Sequence, residues 1–211
     1  MIKYPKIKTP FMRDEDGTKK LITGIFQDEA VKYLKDCIWE CTEKIDGTNI
    51  GVCWDGYNVY FQGRTESSVI PTDLLKALNR LFSGSVNEEI FEQKFGQTEV
   101  ILFGEGYGGS IQKNKNYRET PSFILFDVYL PENDLWLTRA DIEDIAQALG
   151  IEVVPIVLER TLLEAVQYVT NNPKSTIADT DMEGLVCKPF VEMRDRQGNR
   201  IIVKVKTKDF V

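Results

Sequence analysis

Glu43-Lys44-Ile45-Asp46-Gly47-Thr48-Asn49 separates two β-rich stretches and sets a lysine at the end of the first, inside a Lys-x-Asp-Gly turn. Residues 38–44 on its N-terminal side and 48–54 on its C-terminal side both read as strands, rich in β-branched and aromatic side chains. Asp55-Gly56 then supplies a hairpin turn into a third strand over 57–64. The chain contains no histidine. A covalent mechanism must therefore use another side chain, and the placement of Lys44 points to lysine as the nucleophile.

Further strands are predicted at 98–104, 122–130, 183–188 and 200–206, with a second turn at Gln197-Gly198-Asn199. Helical periodicity is clearest over 28–37, 72–82, 139–149 and 162–169. The third is best delimited: Thr138 suits an N-cap, Asp141 and Glu143 suit the first turn, and Gly150 supplies a stop. Strands cluster without regular βα alternation. The pattern therefore predicts an α+β fold of mainly antiparallel sheets, with a doubly wound parallel sheet as the alternative.

A chain of 211 residues is long enough to bury a substantial core, and no repeat, low-complexity tract or linker marks an internal boundary, so a single domain over 1–211 is expected. Apolar residues make up 42% and charged residues 28%, the balance of a soluble globular protein. No run approaches the roughly 18 apolar residues of a membrane span, and the start lacks a secretory signal. A cytoplasmic protein without membrane partners is expected. Cys37, Cys41, Cys53 and Cys187 form no Cys-x-x-Cys pair and are expected to be reduced and buried. The net charge of −7 argues against non-specific attraction to nucleic acid. Residues 188–208 nonetheless hold seven basic side chains against Glu192 and Asp195, a local cationic surface.

Lys-x-Asp-Gly alone is a weak signal. Here it is followed, in order, by Gln62-Gly63-Arg64-Thr65, Leu102-Phe103-Gly104-Glu105-Gly106 and Phe123-Ile124-Leu125-Phe126-Asp127-Val128. Met182-Glu183-Gly184-Leu185-Val186-Cys187-Lys188-Pro189 and Val203-Lys204-Val205-Lys206 complete the series. With these six segments the chain resembles the ATP-dependent polynucleotide ligases, and within them the RNA ligase 2-type bacteriophage RNA ligases. The resemblance runs from about Glu43 to Phe210. It implies an adenylyltransferase domain, ATP-grasp-like, with the nucleotide bound between the sheets. It implies ATP and Mg2+, with Mn2+ as a substitute, and RNA bearing 5′-phosphate and 3′-hydroxyl ends.

A lysine amine attacks phosphorus only when unprotonated, and a free lysine with a pKa near 10.4 is neutral in roughly one molecule in two thousand at pH 7. Cations and a bound metal near the amine would disfavour the ammonium. The resemblance implies that Lys44 carries AMP, with Lys204 and Lys206 assisting catalysis. It gives Asn49, Arg64 and Lys188 to the phosphates or ribose, Glu105 to the ribose and Phe126 to adenine. Glu183 would bind or orient the metal, and Glu43, sent by strand alternation to the other face, would reach metal or substrate. Each residue also has a plainer reading: Glu105 as a turn acid, Phe126 as core, Arg64 as surface, and Lys204 with Lys206 as a solvated strand edge. Gln112-Lys113-Asn114-Lys115-Asn116-Tyr117-Arg118 mixes basic and aromatic residues, as phosphate-gripping, base-stacking loops do. No OB or helical domain is expected after the last lysine pair. A separate domain or protein would then supply substrate-binding surface, and self-adenylylation is a safer expectation than efficient sealing. An ATP-dependent DNA ligase domain, a capping-type guanylyltransferase and a catalytically inactive nucleotide- or RNA-binding module are the alternatives.

Overall fold

The computed structural model describes residues 1–15, 20–112 and 117–210. Among them the strands are β1 (Phe11–Arg13), β2 (Leu21–Phe26), β3 (Trp39–Glu43), β4 (Thr48–Trp54), β5 (Val59–Gly63) and β6 (Val100–Tyr107). They continue as β7 (Ser122–Leu130), β8 (Leu135–Trp136), β9 (Glu152–Val153), β10 (Ile156–Arg160), β11 (Gly184–Pro189) and β12 (Val203–Lys206). The helices are α1 (Glu29–Leu34), α2 (Thr72–Phe82), α3 (Ser85–Phe95), α4 (Arg139–Leu149) and α5 (Leu162–Thr170). The fold is α+β, and every strand pair is antiparallel except β7 with β9. The residues gather into two compact units, Met1–Tyr4 with Asp46–Val154, and Pro5–Ile45 with Pro155–Val211.

In the first unit β5-β4-β6-β7-β8 form one sheet, with β9 added beside β7. Period-two alternation sends Ile50, Val52, Trp54, Val100, Leu102, Phe123, Leu125 and Val128 to one face, where they pack with Leu74, Leu78 and Phe82 of α2, Phe91 of α3 and Ile142 and Ile145 of α4. The other face carries Cys53, Ile101 and Phe103, joined by Tyr4, Phe126, Tyr129 and Trp136. A bulge lies where Phe103 opposes Asp127 but Gly104 opposes Leu125, leaving Phe126 as the extra residue of β7.

In the second unit β10-β3-β11-β12 form a four-stranded sheet, and β1 and β2 a separate ribbon. Trp39 and Cys41 of β3, Leu185 and Cys187 of β11, and Val203 and Val205 of β12 pack with α1 and α5 through Val31, Leu34, Leu162, Ala165, Val166 and Val169.

All four predicted helices form, and α4 carries its predicted cap as a full box: Thr138 accepts from the Asp141 amide while Asp141 accepts from the Thr138 amide. Helix α3 was not predicted because it has no apolar stripe; Phe91 is its one buried residue. The ribbon β1–β2 and the short strands β8, β9 and β10 also escaped, being edge pieces with little alternation. Both predicted turns form, with Gly56 and Gly198 at positive φ (95° and 83°). The second turn leads into a single bridge, Arg194 to Arg200, and β12 begins only at Val203, so the strand predicted from residue 200 is shorter than expected. Cys41, Cys53 and Cys187 are buried and free, but Cys37 is exposed, a correction that follows from its position beyond the last buried residue of α1. No helix among the described residues is long and apolar enough to cross a membrane.

Candidate active site

In the second unit, strand alternation sets Lys44, Lys188, Lys204 and Lys206 on the face of the sheet opposite the core. The amide of Lys44 extends the β3–β11 pairing by donating to Gly184 O at 2.9 Å. Its Nζ donates to Glu183 Oε2 at 2.6 Å, and Lys206 Nζ donates to Glu183 Oε1 at 2.5 Å. One carboxylate thus bridges two ammonium groups, each no more than about a fifth exposed. Burial opposes the charged form of Glu183, yet the ammonium of Lys44 and the bond from Lys206 outweigh it and hold the carboxyl below its ordinary range. A donating ammonium has no lone pair, so attack by Lys44 requires Nζ first to lose a proton; the neutral amine keeps N–H bonds with which to donate to Glu183. Lys204 stands opposite Val186, and Lys188 opposite Glu40.

The backbone around Glu183 is closely held. Thr207 donates its amide to Glu183 O at 2.9 Å and its hydroxyl to Met182 O at 2.9 Å. Gly184 has φ 150°, and a Cβ there would lie 2.1 Å from Val205 O. Only glycine lets the start of β11, next to Glu183, approach β12 this closely.

Glu43 is on the other face of β3 and is buried. Its Oε1 accepts from Ser175 Oγ at 2.5 Å, and its Oε2 accepts from the Thr176 amide at 2.8 Å and from Thr176 Oγ1 at 2.5 Å. Both oxygens are therefore engaged by the protein rather than turned towards the lysine cluster.

The first unit holds the remaining predicted residues. Asn49 of β4 and Glu105 of β6 are register partners, so their side chains stand side by side on the face that also carries Phe126. Arg64, just past β5, is exposed. Phe126 is part-buried, edge-on to Tyr4 with centroids 5.0 Å apart, and Tyr4 Oη donates to the buried Asp127 Oδ2 at 2.5 Å.

The Asp46-Gly47 turn is clamped by the β6–β7 connection. The Asp46 amide donates to Tyr117 Oη at 3.2 Å, and Gln112 Nε2 donates to Gly47 O at 3.0 Å. A Cβ on Gly47 would lie 2.2 Å from Gly106 O, so the turn rests directly on β6. Behind Tyr117, Tyr107 packs edge-on at 5.9 Å and donates its phenol to Glu152 Oε2 at 2.6 Å, while Arg118 Nη1 reaches Glu152 Oε2 at 2.9 Å. Burial and the bond to Glu152 push the Tyr107 phenol up to about 12. Gln112, Tyr117 and Arg118, expected in a nucleic-acid loop, here make internal contacts; residues 113–116 of that segment lie outside the described residues.

Sequence reasoning missed Ser175, Thr176 and Tyr4. The first two sit in a loop with no recognisable pattern, and a lone aromatic before Pro5 carries no signal for a contact 123 residues away. Within the cationic stretch, Arg200 is taken by structure: its side chain is buried and donates to Glu192 Oε2 at 2.7 Å.

A model of the RNA ligase family matches residues 38–206, four-fifths of the chain. No curated protein sequence matches it. Among solved structures it is similar to a mutant Naegleria gruberi RNA ligase with ATP and Mn, at 20% identity and TM-score 0.66 over 98% of this chain and 62% of that one. The Naegleria gruberi RNA ligase with PPi is similar at 22% identity and TM-score 0.65, again covering 98% of this chain and 62% of that one. The chain thus spans about three-fifths of the length of these structures, and at such identity they show the shared fold. Taken with the match over 38–206, the ordered motifs and the lysine held against Glu183 make the chain a member of the RNA ligase family.

Proposed function

We propose that this protein is an ATP-dependent RNA ligase that works through a lysyl-AMP intermediate on Lys44. The observation that carries the reading is Lys44, set at the end of β3 beside a glutamate shared with Lys206, in a chain whose family match spans that whole face. We read the two compact units as halves of one nucleotidyltransferase domain, located in the cytoplasm. A separate domain or protein supplies further RNA-binding surface.

In the first step Lys44 Nζ, having lost a proton, bonds to the α-phosphorus of ATP as the bond to pyrophosphate breaks. A 5′-phosphate oxygen of RNA then attacks the same phosphorus, the P–N bond breaks, and Lys44 leaves as the amine. The 3′-hydroxyl of the adjoining strand finally attacks the RNA 5′-phosphorus and expels AMP. Each step exchanges one ligand on phosphorus, so positioning and charge neutralisation carry the catalysis. Lys204, Lys206 and Lys188 neutralise phosphate charge from one sheet face. Asn49, Arg64 and Glu105 hold phosphate and ribose, and Phe126 offers a face to adenine.

Among the described residues no cluster of three or more His, Cys, Asp or Glu side chains could hold a metal. Glu183 alone suits a hard cation that takes most of its oxygen ligands from phosphate and water, as Mg2+ or Mn2+ does. Bound there, such an ion would neutralise phosphate charge and compete with Lys44 for the carboxylate.

Intact-protein mass after incubation with ATP and magnesium should show a gain of one AMP, absent from Lys44→Ala. A parent that stays unmodified with ATP, GTP and NAD, under magnesium and manganese alike, would reduce the protein to a binding module. Sealing of nicked RNA duplex should exceed that of nicked DNA duplex; equal or better DNA sealing would overturn the choice of RNA.

A further inference from the structure

Glu43 is a buried acid next in sequence to the proposed nucleophile, and nothing in the proposed chemistry uses it. Alternation along β3 turns it towards the side occupied by Trp39, Cys41, Leu185 and Cys187, a place where an unmatched carboxylate is strongly disfavoured. It is matched by three donors, all from residues 175 and 176. Ser175 Oγ also accepts from the Ile177 amide at 3.2 Å, so the contact organises the loop backbone beyond the bonded pair.

That loop closes on itself. The Ser175 amide donates to Thr180 O at 2.8 Å, the Met182 amide to Pro173 O at 2.9 Å, and Lys174 Nζ to Asp181 Oδ1 at 2.8 Å. Its far end is Glu183-Gly184, where Gly184 O accepts from the Lys44 amide and Glu183 accepts from Lys44 Nζ. Glu43, the last residue of β3, and Lys44 just after it therefore grip the two ends of one self-bonded loop: Glu43 holds residues 175 and 176 from the buried face, and Lys44 meets residues 183 and 184 from the open face.

We propose that Glu43 is a positioning residue, a buried latch that fixes the loop 174–183 on β3 and so sets Glu183 against Lys44 and Lys206. This rests on the adenylyltransferase reading and assigns Glu43 to the protein rather than to the nucleotide. Released from the latch, the loop loses its fixed end, and Glu183 no longer meets Lys44 at a single distance.

The test compares the parent, Glu43→Ala, the pair Ser175→Ala with Thr176→Val, and all three changes together. Single-turnover lysyl-AMP formation should fall about tenfold or more in Glu43→Ala, the usual scale for removing a group that orients a ligating side chain. The Ser175/Thr176 pair should fall similarly, and the triple variant no further, since all remove one contact. Half-saturation by ATP should stay near the parent value. Glu43→Gln should recover part of the rate, because its amide oxygen still accepts from Thr176. If Glu43→Ala instead weakens half-saturation as much as rate, and the Ser175/Thr176 pair behaves like the parent, Glu43 is a nucleotide ligand and the latch is overturned. A second measurement does not need catalysis: labelling of Lys44 by an amine-acylating reagent, read by peptide mass against another lysine. Both Glu43→Ala and the Ser175/Thr176 pair should label Lys44 faster than the parent because its ammonium has lost a fixed Glu183; equal labelling overturns the latch. If the parent fails to take up AMP, the activity reading falls while the labelling result still decides the latch.

Discussion

Gly184 carries a steric constraint that its two neighbours depend on. With φ at 150° and a hypothetical Cβ 2.1 Å from Val205 O, alanine here must push β11 from β12 or bend the backbone that carries Glu183. Gly184→Ala should cost at least about 2 kcal/mol of stability, measured by urea unfolding, the range for a strained backbone position with no room to relax. At this scale the sequence was informative wherever residue type meets a backbone requirement. The glycines of the Lys44 turn and of Glu183-Gly184 stand where strands approach closely. Glu43 shows the limit. Alternation separates it from Lys44, but which donors wait on the buried side depends on Ser175 and Thr176, some 130 residues on.

At the scale of elements, the turn after β3 is held by a loop rather than by its own hydrogen bonds alone. Tyr117→Phe removes the phenolic oxygen that accepts from the Asp46 amide and leaves the ring in place against Tyr107. Stability should fall by about 1 kcal/mol, the net worth of such a bond. Lysyl-AMP formation should slow by more than that loss of folded protein explains, because the freed turn lies two residues from Lys44; single-turnover rate and denaturant unfolding on the same sample check both. Elements with a strong period were legible, as α2 and α4 show by matching their predicted bounds. Helix α3, with Phe91 alone buried, and two-residue strands such as β8 and β9 were not, since they exist through what they pack against.

For the whole molecule, the bridged carboxylate links stability to pH. Glu183 is held below the ordinary glutamate value of 4.5, so its contribution is fully present above that value and is lost as pH falls through the depressed one. Glu183→Gln should therefore flatten the acid limb of the stability curve below about pH 4.5, with little change in its slope between pH 6 and 8; urea midpoints across pH measure it.

The sequence by itself determined the α+β class, the helices with full apolar stripes, the lysine turn, and the order of motifs that marks the family. Apart from the motif order, which is read along the chain, these are local: they follow from side-chain period, turn chemistry and residue type within a few positions. Tertiary structure alone decided that Glu183 is shared between Lys44 and Lys206, that Glu43 is bonded to residues 175 and 176, and that Tyr117 and Gln112 hold the Asp46-Gly47 turn. Each of those contacts joins residues at least 23 positions apart. Hydrogen bonds and ion pairs act over about 3 Å of space, and no periodicity in the chain records which distant segments the fold will bring within that distance.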